Sequence, residues 1–271
     1  MKCIVLCADD YGQAPAISQG ILALLQQNRL SAVTCMVNSP YWSLHADWIK
    51  PFTAQADIGL HFNLTEGRAL SAAFKEKYGT NFPRLSTVLR RAFFRQWDVS
   101  VIESECHAQL DTFEAKLGCL PRFIDGHQHV HQFPVIREAW VRVYEKRLHQ
   151  TGTYMRWVDP KLSRIAFIKK IVIYLIGSKA WGRLLREHDI PHNTSFSGIY
   201  DFNKSMDYAD LFKVFLDEVG EDGLIMCHPG FKENDEEDKI RKARADEYAY
   251  FSSEQFIQDC TDRNIVYRNF R

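Results

Sequence analysis

No Cys-x-x-Cys pair occurs anywhere in this chain, although it holds seven cysteines. A thiolate zinc site and a disulfide framework are therefore not expected. Cys3, Cys7, Cys35 and Cys227 stand among apolar residues and read as buried free thiols in a reducing compartment. An excess of either charge is missing as well, since 34 basic side chains balance 34 acidic ones. That leaves no electrostatic footprint for nucleic acid or an anionic membrane. Long hydrophobic runs are also absent. The most apolar later stretch, 165–176, is broken by Lys169 and Lys170 and falls short of a bilayer span. The apolar start of the chain ends at Asp9-Asp10, too soon for a secretory core. A soluble cytoplasmic protein is the expectation, and neither a repeat nor a low-complexity tract complicates it.

What remains is the composition of an ordinary globular protein, 46% hydrophobic and 25% charged in 271 residues. The chain alternates β-branched apolar runs with helical periodicity. Strands are expected at 3–8, 32–38, 57–62, 122–125, 153–157, 194–197, 224–228 and 265–268. Helices are expected at 14–27, 99–117, 135–149, 165–186 and 206–219. In the first, Ile17, Ile21, Leu24 and Leu25 share one face. Eight strands alternating with helices predict a distorted, TIM-barrel-like (β/α) barrel spanning 1–271 as one catalytic domain; an open doubly wound sheet is the alternative. Residues 64–97 fit the alternation least and read as a long βα insertion, a lid, a binding loop or an oligomer contact. The run 234–239 reads as a solvated loop and helix start, and the lysines of 161–170 as a helix face.

Asp125-Gly126-His127-Gln128-His129-Val130-His131 is the most telling segment. In extended backbone His127, His129 and His131 would project to one side, a poor core and a good divalent-metal surface. Asp9 and Asp10 follow the first strand, His61 ends the third, Arg156 lies near the end of the fifth, and His228 ends the seventh. On a parallel barrel these C-terminal ends open on one face, where active sites are built. Adjacent carboxylates at Asp9-Asp10 point in different directions, so one can ligate a metal while the other stays free as a base. Pro229-Gly230 turns the chain directly after His228 and holds its imidazole at the rim. His45, His107 and His149 read as helix-surface residues, and His188 and His192 as loop residues.

Taken together, Ala8-Asp9-Asp10-Tyr11-Gly12, Gly59-Leu60-His61-Phe62-Asn63-Leu64, Asp125-Gly126-His127-Gln128-His129 and His228-Pro229-Gly230 resemble the YdjC-like carbohydrate deacetylases. That group includes chitooligosaccharide deacetylases and hopanoid-associated deacetylases. The resemblance runs from the first strand to the seventh. It implies a distorted (β/α) barrel related to the polysaccharide deacetylases, with one divalent metal, usually magnesium, and zinc or another divalent ion as alternatives. It further implies Asp10, His61 and His127 as ligands, Asp9 as general base and His228 as general acid, with Arg156 in a substrate-contacting region.

The expected substrate is an N-acetylated amino sugar or oligosaccharide, and a homodimer agrees with the family and the 64–97 excursion. His129 either orients His127 or replaces it as ligand, and His131 either supports the site or faces substrate. Tyr11, Phe62 and Trp157 either stack on sugar rings or belong to the core. Two other functions stay open. One is a different metal-dependent hydrolase on this scaffold, an amidohydrolase or phosphoesterase. The other is a non-catalytic sugar-binding protein.

Overall fold

The structure, a computed structural model, describes residues 1–159, 166–202, 206–233, 236 and 238–270. Among them, eight strands run parallel: β1 (Lys2–Tyr11), β2 (Ala32–Cys35), β3 (Asp57–Phe62), β4 (Phe123–Gly126), β5 (Tyr154–Met155), β6 (Phe196–Ser197), β7 (Gly223–Cys227) and β8 (Ile265–Tyr267). Their order is β5-β4-β3-β2-β1-β7-β6, with β8 alongside the first residues of β1. The sheet curls into a half-barrel, and no described pairing joins β5 to β6. Residues of β1, β2, β3, β4 and β7 are buried almost without interruption. That is the mark of a parallel sheet covered on both faces, and it explains their unbroken apolar runs.

Helices fill the connections: α1 (Pro15–Gln26), α2 (Trp42–Ile49), α3 (Ala72–Tyr78), α4 (Leu85–Phe93), α5 (Val99–Leu117), α6 (Ile136–Val143), α7 (Phe167–Ile173), α8 (Lys179–Glu187), α9 (Tyr208–Glu218), α10 (Arg241–Phe251) and α11 (Glu254–Asp262). The expected apolar face of α1 is buried. Asp98 and Asp207 cap α5 and α9 through their side chains, each such cap being worth about 1 kcal/mol. Gly20 lets α1 press on the loop after β7. A Cβ there would lie 2.8 Å from Gly230 Cα.

The excursion at 64–97 is no bare loop. It folds into α3 and α4, and Phe74, Phe82 and Trp97 form a buried ring cluster. The buried Glu105 carboxylate of α5 accepts the backbone N–H groups of Leu70 and Ser71, which ties the excursion down. His45 departs from the surface expectation: it is buried in α2 against Ser18 Oγ. Cys3, Cys7, Cys35 and Cys227 are buried free thiols. No helix among the described residues is long and apolar enough to cross a membrane. Residues 161–165 of the lysine-bearing stretch, and Asn234, Asp235 and Glu237 of the charge run, lie outside the described residues.

Candidate active site

Asp9 and Asp10 lie inside β1 rather than after it, because the strand continues to Tyr11. Its register with β2 shifts between Ala8 and Tyr11, and Asp10 takes a positive φ of 68°. A bulge of this kind re-aims side chains. Here it sends Asp9 toward β5 and Asp10 toward the ends of β3 and β4.

Asp10 Oδ1 lies 3.0 Å from His127 Nδ1 and 3.3 Å from His61 Nε2, and the two nitrogens are 3.3 Å apart. All three residues are buried yet line a cavity of about 860 Å³. The spacing fits a divalent ion. Bonds of about 2.1 Å separate ligands by about 3.4 Å in a tetrahedral shell and about 3.0 Å in an octahedral one. Each imidazole also has a carboxylate on its other nitrogen, the usual support for a metal-bound histidine. Asp125 Oδ1 is 2.7 Å from His61 Nδ1, and Glu66 Oε1 is 3.1 Å from His127 Nε2.

Without an ion the two imidazoles hold protons tightly. Burial opposes their charge, but Asp125 and Asp10 override it and raise His61 to about 10. Burial likewise opposes charge on His127, and Asp10 and Glu66 raise it to about 9. Burial would raise Asp10, yet the Arg244 guanidinium and His127 hold it well below the usual carboxylate range. Arg244, on α10, donates to Asp10 Oδ2 over 2.8 Å.

Asp9 belongs to a neighbouring arrangement. Arg156 donates to both its oxygens at 2.7 Å and also lies 2.7 Å from Asp125 Oδ2. Arg156 is fully buried and does not line the cavity, so the expected substrate contact is replaced by an internal ion-pair knot. Asp9 itself lines the cavity, as does His228. Burial pushes His228 down to about 4, against the pull of Asp10 and Asp9. Its backbone N–H donates to Glu247 Oε2, and Gly230 N–H donates to Arg244 O, so α10 holds this loop.

The histidine triplet does not share one face. The strand stops at Gly126, and 127–132 form a tight 3₁₀ segment with Gln128 and His129 at positive φ. His127 turns to the cluster, and His129 lines the cavity wall beside Phe196. His131 is buried away from the cavity, its Nε2–H donated to Arg156 O over 3.0 Å. Burial pushes it down to about 4, so it is a neutral prop under the knot. Tyr11 and Phe62 are core residues, and Trp157 does not reach the cavity; Phe133, Phe202 and Phe231 supply the aromatic lining instead.

Sequence reasoning assigned no role to Asp125, Glu66, Gln13, Arg244 or Glu247. Asp125 carried a usable signal, since it stands at the strand end two residues before His127 in the segment Asp125-Gly126-His127. Arg244 carried none, being 234 positions from Asp10.

A curled parallel α/β half-barrel that gathers carboxylates and histidines at its strand ends defines the class of protein. The chain belongs to the YdjC-like protein family, whose model matches residues 3–262. It is 27% identical over 277 residues to a carbohydrate deacetylase of Geobacillus stearothermophilus, covering 99% of this chain and 97% of that one. A carbohydrate deacetylase of Danio rerio is 32% identical over 153 residues, 52% of this chain and 45% of the relative, so that match spans under half the relative's length. Among solved structures, a protein of Enterococcus faecalis V583, described provisionally as a cellobiose-phosphate cleavage protein, superposes with a TM-score of 0.75 at 21% identity, covering 99% and 97% of the two chains. A family 4 carbohydrate esterase from Streptomyces lividans in complex with acetate gives 0.50 at 12% identity, covering 98% and 91%. These two likenesses speak to the fold.

Proposed function

We propose that the protein is a carbohydrate deacetylase that removes the acetyl group from an N-acetylated amino sugar or oligosaccharide with one divalent ion. The observation that carries this reading is the Asp10–His61–His127 cluster, open to a cavity that Asp9 and His228 also line. Likeness to a carbohydrate deacetylase along nearly the whole chain supports it. When bound, the ion supplies a Lewis acid for the acetyl carbonyl and a water of lowered pKa. Two imidazoles among three protein donors favour a borderline ion such as zinc over magnesium, which prefers oxygen.

Asp9 takes the proton of the attacking water. Arg156 grips both its oxygens and the Cys7 thiol donates to Oδ1, which leaves a lone pair on Oδ2 and fixes the direction of the carboxylate without consuming it. His228 protonates the departing amine, because an amine anion does not leave near neutral pH. It starts neutral, so it first takes up a proton from solvent in the cavity, which negative charge developing on the carbonyl oxygen favours, and then passes that proton to the nitrogen. Phe133, Phe202 and Phe231 offer apolar faces to sugar rings. Two-metal phosphoester chemistry finds little support, because Arg156 fills the neighbouring carboxylate group. Acetate release from a broad panel of N-acetylated sugars tests the assignment. Release from at least one is expected, and release from none overturns it.

A further inference from the structure

We propose that Glu66 and Gln13 are positioning residues that make His127 a ligand through Nδ1 and Asp10 a ligand through a single oxygen; this rests on the divalent-ion reading above. The basis is a closed ring of five side chains around the mouth of the cluster. Asp10 Oδ2 accepts from Arg244 Nη2 at 2.8 Å, and the same nitrogen donates to Gln13 Oε1 at 3.0 Å. Gln13 Nε2 donates to Glu66 Oε2 at 2.9 Å. Glu66 Oε1 lies 3.1 Å from His127 Nε2, and His127 Nδ1 returns to Asp10 Oδ1 at 3.0 Å.

Each link has a direction set by chemistry. Glu66 takes the Gln13 amide N–H on Oε2 and faces His127 Nε2 with Oε1, and an ionised carboxylate only accepts. The Nε2 of His127 must therefore carry hydrogen, which leaves the Nδ1 lone pair for the cluster. His61 is fixed in the opposite sense, with Nδ1 toward Asp125 and Nε2 toward the cluster. Gln13 faces a cation with its oxygen and an anion with its amide N–H. Glutamate there would oppose Glu66, and lysine would oppose Arg244. Arg244 occupies Oδ2 of Asp10, so Oδ1 alone faces the imidazoles. The Glu66 side chain is 43% exposed, so the ring closes where water would otherwise compete for His127.

The test loads wild-type protein, histidine-labelled with a magnetic nitrogen isotope, with cadmium and reads one-bond couplings between ion and imidazole. Calorimetric zinc titration of Glu66→Ala, Glu66→Gln and Gln13→Ala runs alongside. Coupling through His127 Nδ1 and His61 Nε2 is expected. Zinc binding should weaken roughly 10- to 100-fold in Glu66→Ala, with part recovered in Glu66→Gln, which keeps an acceptor toward Nε2. Coupling through His127 Nε2, or unchanged zinc affinity in both alanine variants, overturns the proposal alone. A wild-type protein that takes up neither ion overturns the divalent-ion reading with it.

Discussion

Two groups of potential ligands lie side by side at the end of the sheet, Asp10–His61–His127 and Cys7–Asp9–Asp125. Both are buried, and in each the donor atoms lie within 4.8 Å of one another. They even share an edge, since Asp125 reaches His61 with one oxygen and Arg156 with the other. In the second group the Arg156 guanidinium fills the centre, touching Asp9, Asp125 and Cys7. Burial opposes its charge, but the two carboxylates keep it firmly cationic. In the first group Arg244 takes only the outer oxygen of Asp10, and the donors open on the cavity. Proximity of ligands alone does not make a metal site. A group of donors with no built-in cation at its centre and with access to a cavity could hold an ion, and a buried arginine next door removes that property while keeping the carboxylates ionised.

Exchanging single carboxylates should break this contrast most visibly. Asp9→Asn is expected to cut acetate release by about 10²- to 10⁴-fold while calorimetry still shows ion binding; Asp10→Asn should lose both. If Asp9→Asn lost the ion and Asp10→Asn kept it, the roles would have to be exchanged. Next in size is Arg156→Met, which leaves two carboxylates buried without their cation. Removing one partner of a buried ion pair costs about 3–5 kcal/mol, so the thermal midpoint should fall far more than for the Glu66 variants. An unchanged midpoint would dismiss the knot as a structural element.

A pH series gives the gentlest distinction. An ion must displace protons from His61, raised to about 10, and His127, raised to about 9. Apparent ion affinity should therefore climb as pH rises from 6 toward 9, roughly tenfold per unit for each proton released. Ion-free protein should behave oppositely. Raised folded-state pKa values stabilise it fully below the unfolded value of about 6.5, and that stability is lost as pH climbs through 9 and 10. Unfolding curves in chelator check the sign: a midpoint that rises between pH 7 and 10 would contradict it.

The strands were legible because a parallel sheet buried on both faces needs continuous apolar runs, and all eight were expected within a few residues of where they form. Helix α10 was legible only as a helix start at 234–239, and its span was not, because its buried face includes Arg244 and Glu247, charges that erase the apolar periodicity. Those charges serve the site, one against Asp10 and one against the His228 loop. The fate of the histidine triplet has a different cause. Alternation holds only while the strand lasts, and β4 ends at Gly126. Left-handed backbone at Gln128 and His129 then separates the three rings, and no residue pattern announced it. Asp10, His61 and His127 do come together, because strand ends in a parallel sheet converge whatever their distance in sequence.

The proposed function requires that the open cluster, and not the arginine-filled one, hold the ion on which deacetylation depends. Acetate release from N-acetylglucosamine oligomers, measured after exhaustive chelation and then during stepwise addition of zinc or magnesium, tests it most directly. Release should be negligible after chelation and recover fully near one equivalent of ion in wild type, with no recovery in Asp10→Asn. Release that persists undiminished in chelator, or that returns equally in Asp10→Asn, would contradict it.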